Sequence, residues 1–575
     1  MAAGGMSSSA HPVDLASSYA NLCVRAVQDF LHTIVVVDDR ATYGDSDVIT
    51  SLVEPSSGSE SVEYLADQED VGTGGASIDV AVLTDASADI GLTCAVIRPR
   101  VEEQHNGVLE RRLAGAARRA DVLVLDWQLN DEPDGEAALR ILQDIAEADS
   151  HGQGRLRLVC FYTSHPDLDG VFESVSSRLS AKILSSSPLG SSSRWLDCGY
   201  MRVVIFAKSG GLTASIGTPA ISVSENDLPQ KLVEEFAVLT SGFVSNVAVA
   251  SLAAVRSNAH RLLARFGSDL DHPFLSHRFY EGGPESEELI VRLVADELKS
   301  LLDAADVRRW VDPKAASLWA EAHIPDQLSF KSKKRERVLS KSEAIRAVAD
   351  GGHYGRFNTV NHVNDGDKFD LGKEFGESLT EILIGDADRA RLLDYDFARL
   401  TCVSRNDSLP FPGERSPILT EGTIVQGRSG ADKIYLLCSM PLCDTVRVNE
   451  PRAFPFVPLK AVASDDRYNL VALSPKGERL FLAFSPGNHY DLVRCTFAGG
   501  EGGVVRSSRR TMGENGEKFV FYDTAGKPWI WVAEVRFQHA HRKLNELGAA
   551  SSRVGLDEAH TLRSASSRQQ SRSHG

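Results

Sequence analysis

The stretch Ile34-Val35-Val36-Val37-Asp38-Asp39 decides the fold of the N-terminal part of this chain. Four apolar residues end on two carboxylates, and a continuous apolar run of this length is typical of a strand buried on both faces of a parallel sheet. Three later stretches have the same form: Val122-Leu123-Val124-Leu125-Asp126, Leu158-Val159-Cys160-Phe161-Tyr162-Thr163 and Val203-Val204-Ile205-Phe206-Ala207-Lys208. We therefore predict an α/β fold built on a parallel sheet.

Polar side chains follow these predicted strands, and in an open parallel sheet functional groups gather at the carboxyl ends of the strands. Asp38, Asp39 and Asp126 would bring three carboxylates together, which repel one another unless a cation lies among them. Carboxylate oxygens are ligands that suit Mg²⁺. Asp126 can act as a nucleophile toward phosphorus, while Thr163 and Lys208 can stabilise the phosphoryl oxygens. The sequence therefore predicts Mg²⁺-dependent phosphoryl transfer to Asp126.

The order of these residues resembles the receiver domain of two-component response regulators. The resemblance implies a flavodoxin-like domain with a doubly wound sheet of five parallel strands. It implies catalytic roles for Asp126, Thr163 and Lys208, and it makes Asp126 a metal ligand together with Asp38, Asp39 and the backbone carbonyl of Gln128. The pair Asp134-Gly135 also matches the family's turn into its third helix.

Three positions depart from the family pattern. Asn130 and Ser209 stand where the family usually has proline, and Ile205, with Phe206 beside it, stands at the position of the family's switch aromatic. These departures concern the signalling switch, whereas the residues for phosphorylation chemistry are all present.

Composition limits the class of protein. A chain of 575 residues is expected to contain several domains. Its net charge of -17 and pI near 5.5 argue against broad binding of nucleic acid. No apolar run is long enough to predict a membrane span. Eight dispersed cysteines are typical of reduced thiols, which predicts a cytoplasmic protein.

Patterning along the chain predicts five segments. They are a receiver-like domain with an N-terminal helix and long insertions at 41–76 and 184–199 (1–245), a helical segment (246–345), a mixed linker region (346–414), a β-rich C-terminal domain (415–563) and a disordered tail (564–575). Short strands separated by turns predict a barrel or sandwich, closed by a helix on which Phe537, Ala540, Leu544 and Leu547 share a face. An apolar stripe on the middle helices, formed by Ile290, Leu293, Val294, Leu298 and Leu301, leads to the hypothesis of a homodimer.

Segments 422–425, 435–438 with 441–447, and 552–558 resemble the C-terminal region that accompanies divergent receivers in bacterial anti-phage two-component (Detocs-like) systems. The resemblance is to the receiver protein without a recognisable effector domain. It implies a histidine kinase as partner, a receiver-bearing effector protein as a second partner, and a role as phosphate buffer or relay.

Three other functions stay open. Phosphorylation could switch an effector or scaffold whose β domain binds a partner. The receiver could be vestigial within a pure scaffold, although all five polar positions are present. A metal-dependent nuclease or phosphatase also clusters carboxylates at strand ends, but it would not need Thr163 and Lys208. No enzymatic activity is predicted beyond self-phosphorylation and autodephosphorylation of the receiver.

Overall fold

A computed structural model describes residues 18–42, 77–99, 115–117, 119–129, 134–151, 156–179, 195–198, 201–209, 222–332, 335–351, 359–361, 368–370, 379–406, 416–485, 491–511 and 517–551. Contacts divide the chain into two compact units. The first comprises Met1–Leu262, Leu298–Ser329 and Arg337–Glu374, and the second comprises Leu263–Glu297, Phe330–Glu336 and Phe375–Gly575.

The first unit contains a seven-stranded sheet in the order β2-β1-β3-β4-β6-β5, with β7 beside β6. Strands β2, β1, β3, β4 and β6 pair in parallel, while β5 pairs antiparallel with β6. The sheet therefore has two strands more than predicted, and β5 comes from the stretch 184–199 that we interpreted as an insertion. The bounds are β1 (Thr33–Val37), β2 (Thr93–Ile97), β3 (Val122–Leu125), β4 (Arg157–Thr163), β5 (Trp195–Cys198), β6 (Met201–Lys208) and β7 (Ser222–Val223).

Helices cover both faces of this sheet, which confirms the α/β prediction. Alternate strand residues pack to opposite sides: Leu125 and Phe161 lie in one hydrophobic cluster, and Val124 and Phe206 lie in the other. The first cluster includes residues of α3 (Glu136–His151) and α4 (Leu168–Arg178). The second includes residues of α1 (Ser18–Gln28), α2 (Val80–Asp89) and α5 (Leu228–Leu239). The sequence also predicts a helix at 101–119 before β3, most of which lies outside the described residues.

The predicted helical middle is confirmed, with one correction. Gln327–Ser332 and Arg335–Ser340 are strands inside the segment that we predicted to be helical. No helix of the described residues is long and apolar enough to cross a membrane. The elements are α6 (Phe243–Ser257), α7 (Ala259–Arg265), α8 (Asp271–Glu281), α9 (Gly283–Ala304), α10 (Pro313–His323), β8 (Gln327–Ser332), β9 (Arg335–Ser340), α11 (Lys341–Asp350), β10 (Thr359–Asn361), β11 (Lys368–Asp370), α12 (Leu379–Ile384) and α13 (Ala387–Cys402), with 3₁₀ turns at Ser268–Leu270 and Val307–Trp310.

The predicted β-rich region is confirmed as a ten-stranded antiparallel sheet with a hydrophobic cluster on each face. Its strands are β12 (Val403–Asn406), β13 (Thr423–Ser429), β14 (Asp432–Cys438), β15 (Arg452–Val462), β16 (Leu470–Leu473), β17 (Arg479–Ala483), β18 (Val493–Phe497), β19 (Ser508–Thr511), β20 (Glu517–Tyr522) and β21 (Pro528–Val535). A short helix α14 (Leu442–Thr445) follows β14, and a 3₁₀ turn at Glu501–Gly503 follows β18.

The predicted closing helix is present as α15 (Phe537–Ser551). Ala540 and Leu547 are buried in one of the two clusters and Leu544 packs against it. Phe537, at the start of the helix, is 59% exposed and is not a member of this cluster. Its ring instead stacks on His541 one turn later, with ring centroids 5.6 Å apart.

Candidate acidic site at the strand ends

The register of the parallel sheet brings two carboxylates side by side. Val37 is the partner of Leu125 across β1 and β3, so Asp38 and Asp126 each follow the last paired residue of their strand. The backbone N–H of Asp126 donates to the carbonyl of Val37 at 2.9 Å, which holds the two strand ends together. Both aspartates therefore lie at the carboxyl edge, where the sequence predicted them.

Three carboxylates form a compact cluster at this edge. Asp38, Asp39 and Asp126 each offer an oxygen, and these oxygens all lie within 4.8 Å of one another. Asp38 is 0% exposed and Asp126 is 5% exposed, so water screens their repulsion poorly. Within the described part of the chain, this is the only group of three or more acidic, histidine or cysteine side chains close enough to hold a metal ion.

Lys208, the last residue of β6, supplies the positive charge that the structure places among these carboxylates. Its Nζ lies 2.7 Å from Oδ2 of Asp38 and 3.4 Å from Oδ2 of Asp126. One ammonium against three carboxylates leaves the cluster negative when all are ionised. An all-oxygen, negatively charged set suits a hard divalent cation such as Mg²⁺, so the residues present fit the predicted metal.

Burial changes the acidity of the central carboxylate. Desolvation raises the pKa of Asp126 to about 6, and the charges of Asp38 and Asp39 act in the same direction. The ammonium of Lys208 lowers the pKa of Asp126, but it does not cancel the effect of burial. Asp126 is thus poised to change its protonation state just below neutral pH.

Backbone amides fix the orientation of both buried carboxylates. The N–H of Arg40 donates to Oδ1 of Asp38 at 2.8 Å, and the N–H of Trp127 donates to Oδ1 of Asp126 at 2.9 Å. The second oxygen of each carboxylate is the one that faces Lys208. This arrangement pre-organises the cluster, because the turns after β1 and β3 hold the side chains in place.

Thr163 ends β4, and the register pairs it with Ala207, the residue before Lys208. It is 1% exposed, and its hydroxyl oxygen accepts from the N–H of His165 at 3.1 Å. This contact uses an acceptor position of the oxygen, so the hydroxyl proton can be donated. The structure thus places Thr163 at the same edge as the carboxylates.

Gln128 lies in the turn after β3, two residues beyond Asp126, and it is half-buried. The predicted role of its backbone carbonyl as a metal ligand stays a prediction. Asn130, the position where the family usually has proline, lies outside the described residues.

Two aromatic residues support the site, and neither was predicted from the sequence. The ring of Trp127 is buried, and its centroid lies 5.9 Å from that of Phe161. The Tyr162 hydroxyl donates to the carbonyl of Val223 at 2.8 Å, and the Nζ of Lys208 lies 5.8 Å from the centre of the Tyr162 ring. In the sequence, Trp127 and Tyr162 are distinguished only by lying next to Asp126 and Thr163. Any residue at a strand end has such a neighbour, so this position alone does not predict a role in the site.

The residues at the switch position are both buried. Ile205 is 6% exposed and lies in one hydrophobic cluster, and Phe206 is 3% exposed and lies in the other. The aromatic ring of Phe206 is therefore not exposed in this structure, and Ile205 has no ring.

The comparisons with known proteins concern the same part of the chain. Residues 30–212 match the family model described as a response receiver domain. No curated protein and no solved structure matches the chain.

Proposed function

Because residues 30–212 form a response receiver domain, we propose that this chain accepts a phosphoryl group from a partner histidine kinase onto Asp126. The observation that carries the proposal is the buried cluster in which Lys208 contacts both Asp38 and Asp126 at the edge where Thr163 ends its strand. Paired carboxylates, a hydroxyl and an ammonium are the groups that phosphoryl transfer to a carboxylate requires.

In the proposed step, a carboxylate oxygen of Asp126 attacks the phosphorus of a phosphohistidine on the kinase. An O–P bond forms and the N–P bond breaks, and the histidine nitrogen keeps the electron pair and takes a proton from water. The product is an aspartyl phosphate. The reaction needs the ionised form of Asp126. Because the pKa of Asp126 is about 6, this form predominates above about pH 6.

Asp38, Asp39, Asp126 and the backbone carbonyl of Gln128 are the proposed ligands of Mg²⁺. The ion supplies positive charge against the phosphoryl oxygens. Lys208 turns from the carboxylates to a second phosphoryl oxygen, and the hydroxyl of Thr163 donates to a third. We expect water to attack the aspartyl phosphate in line with the O–P bond, so that the receiver would also catalyse its own dephosphorylation.

We further propose that phosphorylation is itself the output, as a phosphate buffer or relay in anti-phage signalling. The partners would be a histidine kinase and a receiver-bearing effector protein. What supports this role is the likeness of segments 422–425, 435–438 and 441–447 to the receiver protein that lacks an effector domain. A cytoplasmic location agrees with eight cysteines that form no disulfide.

The test is phosphorylation of the purified chain by a small phosphodonor such as acetyl phosphate, with and without Mg²⁺, read by intact mass spectrometry. We expect one added phosphoryl group in the wild type and in Asp144→Asn, a matched control on the exposed face of α3. We expect none in Asp126→Asn or after chelation of Mg²⁺. Equal labelling of Asp126→Asn would contradict the assignment.

The kinase is tested separately, by transfer from a phosphorylated cognate histidine kinase. If the folded protein accepted a phosphoryl group neither from the small phosphodonor nor from the kinase, the proposed phosphoacceptor function would be contradicted. Cleavage of nucleic acid or phosphomonoester that Asp38→Ala abolishes would favour the metal-dependent nuclease or phosphatase instead.

A further inference from the structure

The β-rich unit contains a cavity of about 520 Å³ that is distant in sequence from the acidic site. Strands β13, β14, β20 and β21 and the turn between β16 and β17 line it. This volume lies within the range of pockets that hold small organic ligands.

Among the described residues that line the cavity, none is a carboxylate and five are basic: Arg428, Lys433, Lys476, Lys518 and Lys527. The concentration of charge is opposite to the chain's net charge of -17. Within the part of the chain that the structure describes, no salt bridge engages Arg428, Lys433 or Lys476. Their charges are therefore available to an anionic ligand.

Contacts within the sheet position three of the cationic side chains. Arg428 and Lys433 are direct partners across β13 and β14, so they lie on the same face of the sheet. Lys527 precedes β21, and its Nζ lies 4.5 Å from the centre of the Trp529 ring. Adjacent like charges in a folded protein repel unless an anion lies between them.

A buried amide provides a second, independent observation. Gln426 lines the cavity and is 8% exposed, and its Oε1 is buried without a hydrogen-bond partner. Gln426 lies two residues after Ile424 on β13, so the two side chains are on the same face of the strand. Ile424 is 0% exposed, and an apolar residue would therefore be favoured at position 426 as well. Buried polar atoms are nearly always paired, so the unpaired Oε1 points to a ligand group that can donate a hydrogen bond to it.

The wall beside this amide is apolar. Ile530 is the cross-strand partner of Gln426, and Pro528 lies two residues before it on the same strand. The cavity thus combines a cationic rim, an apolar wall and one amide, whereas inorganic phosphate would fill only a small part of it.

We propose that this cavity binds a nucleotide, with its phosphate groups among the five cations and its base edge on Gln426. Several phosphate charges match the several cations, and a nucleobase provides both a flat apolar surface and an N–H group that can donate to Oε1 of Gln426. A long nucleic acid is disfavoured, because the acidic chain as a whole repels a polyanion.

The experiment measures binding of ATP, ADP, AMP and GTP to the full chain by isothermal titration calorimetry, with EDTA present so that the acidic site takes no metal. Pyrophosphate and a single-stranded oligonucleotide are the comparison probes. We expect at least one nucleotide to bind, and we expect Arg428→Gln with Lys433→Gln to weaken it by about tenfold or more. Lys460→Gln with Arg494→Gln, on the exposed sides of β15 and β18, is the matched control and should bind as the wild type does.

The variant Gln426→Leu distinguishes the contribution of the base to binding from that of the phosphates. It should weaken nucleotide binding and leave pyrophosphate binding unchanged, and thermal unfolding would verify that each variant is folded. The proposal is overturned by a folded wild type that binds no nucleotide, or by equal loss in the control variant. Binding of pyrophosphate or of the oligonucleotide alone would overturn it as well, since the site would then be a general anion site or a nucleic-acid surface.

Discussion

Lys208 is the residue on which the acidic site depends most directly. It is 2% exposed and contacts two buried carboxylates. Removing one partner of a buried ion pair leaves an uncompensated charge, which typically costs about 3–5 kcal/mol. Without Mg²⁺, we expect Lys208→Met to lower the free energy of unfolding by about this amount, as measured by urea denaturation.

Added Mg²⁺ should reduce this deficit, because a divalent cation also neutralises the carboxylates. The control is Lys231→Met, which removes a solvent-exposed salt bridge with Glu234 on α5. This salt bridge should contribute less than about 1 kcal/mol to the free energy of unfolding. An equal deficit with and without Mg²⁺ would argue against metal binding at this cluster.

The raised pKa of Asp126 gives the site a pH dependence. Its pKa rises from 3.8 to about 6 on folding, so the folded protein binds this proton more tightly than the unfolded chain does. In the absence of metal, the stability from this proton is fully present below about pH 4 and is lost as the pH rises through about 6. The shift corresponds to roughly 3 kcal/mol.

Mg²⁺ and this proton compete, since the metal requires the ionised carboxylate. Below about pH 6 we therefore expect the affinity for Mg²⁺ to fall by about tenfold for each pH unit. Titration calorimetry at several pH values measures this slope, and Asp126→Asn should abolish it. A slope that Asp126→Asn leaves intact would assign the proton to another group.

At the scale of the element, the turn before α3 depends on one glycine. Gly135 has a φ of +71°, and a Cβ at this position would lie 2.3 Å from the ring of Trp127. Gly135→Ala would thus meet both the left-handed backbone penalty and a clash with a buried ring, for a loss of roughly 1–3 kcal/mol. Thermal unfolding checks this, with Gly91→Ala as control because its φ is +79° and no atom lies within 4 Å of the added Cβ. Equal losses would mean that the ring contact contributes nothing.

The sequence predicted the elements that have a strong periodic pattern, and it missed those whose burial depends on distant partners. The apolar runs before Asp38, Asp126, Thr163 and Lys208 are central parallel strands, as expected. Strand β5 was missed because its four residues, Trp195–Cys198, are too few to show a period, and only their pairing with β6 identifies them as a strand. Periodicity also cannot tell how far along a helix face the buried contacts extend, so the exposure of Phe537 could not be predicted from the shared face.

The acidic site itself was predictable, but its charge balance was not. Strand ends in a parallel sheet must meet at one edge, so the order of the polar residues was sufficient to bring Asp38 and Asp126 together. That Lys208 would contact both carboxylates depends on the register between β4 and β6. The cavity around Gln426 draws its residues from five strands or turns, so no local pattern could indicate it.

At the scale of the whole molecule, the apolar stripe of α9 bears on assembly. Leu293 is 46% exposed and its neighbour Val291 is 64% exposed, although Leu301 at the end of the stripe is buried. We expect the chain to form a homodimer through this helix, because exposed apolar helix faces are favoured partners of their own copies. Light scattering after size-exclusion chromatography should give twice the chain mass for the wild type and for Tyr522→Asp, an exposed control on β20, and one chain mass for Leu293→Asp. A monomeric wild type would contradict the hypothesis.

A phosphate buffer and a phosphorylation switch differ in how much of the protein changes conformation when Asp126 is phosphorylated. Ile205 and Phe206 are both buried in opposite clusters, so the switch position holds no exposed aromatic ring to move inward. Phosphorylation should therefore change hydrogen exchange at the strand ends around Asp38, Asp126 and Thr163 and leave strands β12 to β21 unchanged. Hydrogen-exchange mass spectrometry on the phosphorylated chain, with Asp126→Asn treated identically, measures this. Altered protection in the ten-stranded sheet would instead favour an effector or scaffold that phosphorylation switches, since phosphorylation of Asp126 would then change the conformational populations of the other unit.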